Sequence, residues 1–119
     1  MKAYTDLEQS KKLAEILPIK SADMHYATWT ILDGEFIVSP NYGNTIEDLQ
    51  EDYGNQIIPC WSLAALLDVV SEEVSLNSFK NGNWNAMVRQ NGKMIFSDAN
   101  NPVDACVAMI EKLHEQKIL

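Results

Sequence analysis

Apolar residues recur at three- and four-residue spacing in three stretches of the chain, which predicts three helices. The first is expected to begin at a capping box formed by Thr5 and Glu8 and to end at Pro18. The second is expected to begin near 60–62, and the third at Asn101, its N-cap. Their buried stripes are expected to be Leu7, Leu13, Ala14 and Leu17, then Leu63, Leu66, Leu67 and Val70, then Val103, Cys106, Val107, Ile110 and Leu113.

Alternating apolar and polar residues over 25–40 predict a β-hairpin that turns at Asp33 and Gly34. A two-residue turn at this position places Trp29 opposite Val38. The residues then expected on the buried face are Ala27, Trp29, Ile31, Phe36 and Val38. The residues expected on the other face are Thr28, Thr30, Ile37 and Ser39.

A second alternating region, 75–97, predicts a three-strand meander with Asn-Gly turns at 81–82 and 91–92. Two-residue turns pair Phe79 with Trp84 and divide the apolar residues between two faces. One face carries Phe79, Trp84, Val88 and Ile95, and the other carries Leu76, Met87, Met94 and Phe96. Because both faces are partly apolar, this sheet needs cover on both sides, from a helix, a loop or another subunit.

Residues 41–57 differ in composition from the rest of the chain, with an acidic stretch between two Tyr-Gly-Asn triplets. Thr45 and Asp48 are placed to cap a short helix whose apolar anchors are Ile46 and Leu49. We expect this segment to be a surface excursion. The element order then predicts a single α+β domain over residues 1–119, with a mainly antiparallel sheet of about five strands, a hairpin plus a meander, packed with three helices.

Composition narrows the classes of function. The 119 residues suit one domain, and 17 acidic against 9 basic residues give a net charge of -8. An acidic chain lacks the basic face that nucleic acids and anionic membranes attract, so we expect neither as a partner. The N-terminus lacks a secretory apolar stretch, and no apolar run approaches the about 20 residues of a membrane span. We therefore expect a cytoplasmic protein with two reduced cysteines.

Cys60 is the strongest candidate for reactive chemistry. At a helix N-terminus its thiol pKa would be lowered, and a dyad with His25 or His114 would activate it. The alternative is a small buried apolar residue, which free cysteines often are. Together with Cys106 these residues supply two cysteines and two histidines, but without the short spacing of zinc knuckles. Because nucleotide-loop, metalloprotease and hydrolase motifs are also absent from the sequence, we predict no catalytic residue, cofactor or metal ligand.

Three stretches together resemble a known family: LEQSKKLAEILP with SADM at 7–24, IPCWSLAALLDVV at 58–70, and NPVDACVAMIEKLHE at 101–115. The family comprises short uncharacterised proteins of Bacteroides and related gut bacteria, often encoded in prophage or mobile regions. The resemblance implies a small intracellular accessory protein of phage-like origin, and it supplies no catalytic residue or ligand.

The sequence thus favours a non-enzymatic domain that binds another protein, either an unidentified partner or further copies of itself. The interaction candidates are the apolar residues on one face of the meander, Leu76, Met87, Met94 and Phe96. Two alternatives remain open at this point. One is an acidic inhibitor that imitates nucleic-acid charge, and the other is an enzyme that depends on Cys60.

Overall fold

In a computed structural model, residues 1–28, 34–53, 57–70, 73–90 and 92–118 are described. These residues form four α-helices, one 3-10 helix and two three-stranded antiparallel sheets. The elements, in chain order, are α1 (Leu7–Leu13), the 3-10 helix (Ile19–Ser21), β1 (Met24–Thr28), β2 (Phe36–Pro40), α2 (Ile46–Tyr53), β3 (Ile57–Cys60), α3 (Leu63–Val69), β4 (Val74–Ser78), β5 (Trp84–Gln90), β6 (Lys93–Ala99) and α4 (Pro102–Glu115). The α+β class and the antiparallel pairing are confirmed, whereas the predicted five strands and three helices differ from the observed elements.

The first sheet has the order β2-β1-β3, and its hairpin register differs from the prediction. Tyr26, rather than Trp29, pairs with Val38. The register is offset by three residues, an odd number, so Val38 lies on the face opposite that of Ala27. The centre strand β1 pairs with β3 as well as with β2, so the Asp-Gly turn signal does not by itself determine the register. Trp29, Thr30, Ile31 and Asp33 lie outside the described residues.

The strand β3 is an element that the sequence pattern does not predict. The sequence pattern assigns Ile57 to the excursion and Cys60 to the start of the second helix. Residues 57–60 instead pair with β1, and Cys60 lies opposite Met24. A four-residue apolar run is compatible with either a strand or a buried helix end. The helix begins only at Leu63, after Ser62, whose hydroxyl accepts from the backbone N–H of Ala65.

The second sheet has the order β4-β5-β6. Its second turn has the predicted register, with Val88 opposite Ile95. The first turn does not, because Ser78 rather than Phe79 pairs with Trp84. The backbone N–H of Gly82 donates to the Phe79 carbonyl at 3.0 Å, and Gly82 has a φ of 88°. This geometry is a three-residue turn with a glycine bulge, which shifts β4 by one residue and exchanges its two faces.

The predicted N-cap is confirmed for α4, near the C-terminus, but not for α1, near the N-terminus. Asn101 caps α4 by accepting from the backbone N–H of Asp104, as expected. Helix α1 is capped by Asp6 with Gln9 rather than by Thr5 with Glu8. The Thr5 hydroxyl is instead buried, where it accepts from the Trp61 backbone N–H at 3.1 Å. The Thr5 hydroxyl therefore bonds to the Trp61 N–H, a backbone group far away in sequence, instead of capping α1.

The core is one cluster of buried side chains from both sheets and the four α-helices. Helix α4 packs against β5, β6 and α3, and α1 packs against β3. Ile46 and Leu49 of α2 are also buried, so the segment expected as an excursion contributes two residues to the core. The large side chains with almost no exposure include Trp61, Leu13, Ile46, Leu66, Met109, Ile110, Leu113, Val88 and Val103.

Candidate functional site

The second sheet has an inner face covered by α4 and an outer face that is partly apolar. We define the outer face by the side chains that alternate away from α4: Ser75, Asn77, Asn85, Met87, Arg89, Met94, Phe96 and Asp98. Met87 pairs with Phe96 at its centre, and Arg89 pairs with Met94 beside them. At one end the Asn85 amide donates to the Asp98 carboxylate at 2.8 Å. The face therefore has an apolar centre between polar ends.

Exposure separates the four interaction candidates. Phe96 is 49% exposed and Met94 is 38% exposed, and Met87, opposite Phe96 on the central strand, is half-buried. Leu76 belongs to the inner face, because the one-residue shift of β4 pairs it with buried Ala86. The sequence thus identified three residues of the outer face and misplaced the fourth. It also grouped Phe79 with Val88 and Ile95, which are buried on the inner face, whereas Phe79 is 54% exposed beside the turn.

A shallow pocket of about 150 Å³ lies at the Arg89 end of the outer face. Its lining residues are Glu73, Ser75, Met87, Arg89 and Met94. Pockets that hold cofactors or drug-sized ligands have volumes of about 300–1,000 Å³ and enclose most of the ligand. This surface is better shaped for contact with a macromolecule than for enclosure of a small molecule.

Cys60 is not at a helix N-terminus, which corrects the premise for its reactivity. It lies in β3 with 0% exposure, and its sulfur is 3.5 Å from the Thr5 hydroxyl oxygen. Burial raises the pKa of the Cys60 thiol above its ordinary value, although hydrogen bonding to Thr5 opposes this effect. Cys106 is 2% exposed, so both thiols are buried. Burial raises the pKa of Cys106 to about 11.

His25, one of the two candidate partners of Cys60, makes its side-chain hydrogen bonds to other residues. His25 is buried, its Nδ1 lies 2.8 Å from the Asn41 side-chain oxygen, and its Nε2 lies 3.2 Å from the Ser39 hydroxyl. These contacts occupy both ring nitrogens. Within the described parts of the chain, no three His, Cys, Asp or Glu side chains come together in a group suited to a metal ion.

A charged cluster that the sequence analysis missed joins the N-terminus to α4. The Lys2 ammonium lies 2.8 Å from the Asp104 carboxylate and 2.9 Å from that of Asp6. The Gln9 and Asn101 amides also donate to Asp104. Partial burial raises the pKa of Asp104, but the hydrogen bonds from Lys2, Gln9 and Asn101 outweigh it and hold the pKa below the ordinary value. The cluster therefore connects the N-terminal segment of the chain to α4.

We predict that Asp104→Asn lowers stability at pH 7 by about 1 kcal/mol, or about 4 °C in melting temperature. The folded-state pKa of Asp104 is depressed, so its stabilisation is present above the ordinary carboxyl range and is lost as pH falls through the folded-state pKa. Thermal melts of the variant and the native chain should therefore converge once the pH is below the folded-state pKa of Asp104. The exposed Asp68→Asn is the control, and an equal loss in both variants would contradict the prediction.

None of the helices among the described residues is long and apolar enough to cross a membrane. No protein-family model matches the chain, no curated protein matches it in sequence, and no solved structure matches its fold. The function is therefore inferred from the chemistry of the chain itself.

Proposed function

We propose that this chain is a non-enzymatic protein-binding domain and that the outer face of the second sheet is its contact surface. The exposure of Phe96 and Met94 at the centre of this face is the observation that carries the proposal. Apolar area contributes about 25 cal/mol per Å² when a partner removes it from water. Clustered exposed apolar side chains with a polar rim are typical of interaction sites.

The composition of the outer face supports the same function. Aromatic, methionine and arginine side chains are enriched in protein interfaces, and the face has Phe96, Met87, Met94 and Arg89 side by side. Phe96 is suited to anchor a partner because a rigid aromatic ring loses little conformational entropy when it becomes buried. The polar pair formed by Asn85 and Asp98 would lie at the rim of such an interface.

We also infer, from the resemblance to short proteins of mobile elements, that this chain is an accessory protein. An accessory protein of this kind would act in the bacterial cytoplasm, where Cys60 and Cys106 stay reduced. The buried position of both thiols supports a structural role for them, since a nucleophile requires access to its substrate.

Phe96→Asp tests the proposal. The variant should keep the native circular dichroism spectrum, because Phe96 is on the solvent side of the sheet, and should weaken partner binding at least about tenfold. The partner is first identified by affinity capture with the native chain and purified, and its binding is then measured by calorimetry. Tyr42→Asp is the matched control, since it makes the same aromatic-to-acid change at a side chain that is 83% exposed and lies outside the face.

Two outcomes would contradict the proposal. If Phe96→Asp unfolds the chain, Phe96 belongs to the intramolecular core and the outer face is not free to bind. If the variant folds and binds the purified partner with native affinity, the contact surface lies elsewhere.

A second candidate function rests on helix α2. Glu47, Asp48, Glu51 and Asp52 are all exposed on this helix, and no basic residue lies in its last turn. Residues four apart on a helix are neighbours, so the acids form two adjacent rows that would suit an inhibitor imitating nucleic-acid charge. The same binding assay separates the candidates. The inhibitor is favoured if the partner is strongly basic, still binds Phe96→Asp, and no longer binds a variant in which these four acids are replaced by their amides.

A further inference from the structure

Each sheet has two edge strands, which present unpaired backbone N–H and C=O groups to other chains unless something blocks them. In the first sheet the edge strands β2 and β3 contain Pro40 and Pro59, which have no N–H to donate. In the second sheet the Phe96 carbonyl of β6 accepts from the Lys112 ammonium of α4. The remaining edge strand, β4, contains neither proline nor a charged residue, and among the described strands it pairs only with β5.

The hydrogen-bond pattern shows which groups of β4 face outwards. The Phe79 N–H donates to the Asn83 carbonyl at 2.9 Å, so Phe79 directs its backbone groups towards β5. Hydrogen-bonded and non-hydrogen-bonded pairs alternate along an antiparallel ladder. Val74, Leu76 and Ser78 therefore direct their N–H and C=O groups away from β5, to the free edge.

We propose that this free edge of β4 pairs with β4 of a second copy of the chain, antiparallel, so that two second sheets become one six-stranded sheet. This goes beyond the proposed function, because it uses the edge of the sheet rather than its outer face. The partner is a second copy because β4 is complementary to itself in register, side chains and charge.

Several registers satisfy the backbone and the two-fold symmetry together, and we choose the one in which the two strands overlap over their full length. Residues directly opposite in an antiparallel pair lie on the same face, and only outward-facing residues form hydrogen bonds across the new edge. With the axis at Leu76, Leu76 lies opposite Leu76 of the second copy, and Val74 lies opposite Ser78. The whole strand Val74–Ser78 then overlaps its copy, and three pairs each exchange two hydrogen bonds.

The side chains of β4 gain burial from this pairing. Val74 and Leu76 are half-buried on the inner face, since β4 is at the edge and has a neighbouring strand on one side only. In the proposed register the two Leu76 side chains lie beside each other across the axis. Cross-strand apolar pairs of this kind stabilise a sheet.

The charges also favour two copies meeting here. Glu73 precedes β4 and Lys80 follows it, so antiparallel pairing sets the acidic end of each strand beside the basic end of the other. Residues 73–99 contain three basic and two acidic side chains, a net charge of +1 in a chain of -8, so the remaining residues carry -9. Two strongly acidic molecules thus meet at the region where their mutual repulsion is smallest.

A five-residue edge buries less surface than the about 1,200–2,000 Å² of a standard stable interface. The dimer is therefore expected to be weak, and its population should rise with protein concentration. Sedimentation equilibrium should give a mass that increases from 13.4 kDa towards twice that value.

Ser78→Pro tests the edge directly. Proline removes the outward N–H of an exposed residue without removing a ladder hydrogen bond to β5, so the variant should fold and dimerise at least about tenfold more weakly. Ser78→Ala keeps the N–H and should dimerise like the native chain. Circular dichroism checks that the proline variant is folded.

Cysteine cross-linking tests the register and does not depend on the proline variant. Opposite residues of a hydrogen-bonded pair have Cα atoms about 5.5 Å apart, within the range of a disulfide, so Leu76→Cys should form a covalent dimer on mild oxidation. Ser78→Cys is the matched control, because in this register its two copies are offset by four residues, about 13 Å. Cys60 and Cys106 are buried and should not compete.

Three results would overturn the inference: a mass of 13.4 kDa at every concentration, a dimer that Ser78→Pro leaves unchanged while folded, or cross-linking through Ser78→Cys and not through Leu76→Cys. The inference and the proposed function fail separately. Folded Ser78→Pro should retain Phe96-dependent partner binding, and Phe96→Asp should retain the edge dimer, because the two residues lie at different edges of the sheet.

Discussion

Both cysteines of the folded protein should react with a maleimide at least about a thousandfold more slowly than in the unfolded chain, because an opening that exposes them costs about 5 kcal/mol or more. Cys60 is 0% exposed and Cys106 is 2% exposed, so a reagent reaches either thiol only when the structure opens. Burial also raises both thiol pKa values, which further reduces the reactive thiolate at pH 7.

Intact-mass spectrometry over time, with and without urea, measures this protection. Ser75→Cys supplies an exposed thiol on the outer face as the positive control and should be modified at once. Rapid modification of Cys60 in the folded native chain would contradict the buried position in β3. It would also restore the hypothesis of a thiol-dependent enzyme.

Val88→Asp should abolish folding. Val88 is 0% exposed on the inner face, under α4, and an unpaired buried carboxylate costs several kcal/mol, comparable with the about 5–15 kcal/mol that stabilises a typical domain. Phe96→Asp introduces the same charge on the opposite face of the same sheet and should remain folded.

Circular dichroism melts of the two variants compare the faces within one sheet. A cooperative transition should be present for Phe96→Asp and missing for Val88→Asp. If Val88→Asp melts like the native chain, the inner face is not the core and the assignment of the two faces must be reversed.

The outer face shows how far sequence reasoning reaches for this site. Met87, Met94 and Phe96 were placed together because the Asn-Gly turn before β6 has the two-residue length that its sequence favours. Leu76 was misplaced because the same dipeptide closes a different turn before β5. There Asn81 keeps a negative φ and its side chain accepts from the Asn83 N–H, so the loop holds one residue more.

The sequence by itself determined those features that depend on neighbours along the chain. The apolar stripe and Asn101 cap of α4, the existence of α3 and the α+β class with antiparallel hairpins all follow from spacing and side-chain chemistry within a few residues. These interactions are local, because the residues that make them lie close together along the chain.

Tertiary structure alone decided the features that require distant partners. Residues 57–60 form the strand β3 because their backbone pairs with β1. The register of β1 depends on which of its side chains are buried on each face of the sheet. The Thr5 hydroxyl bonds to Trp61 rather than capping α1, and Asp104 gains the Lys2 ammonium from the other end of the chain. In each case a buried backbone or charged group needed a partner, and only the folded chain shows which residue is close enough to supply it.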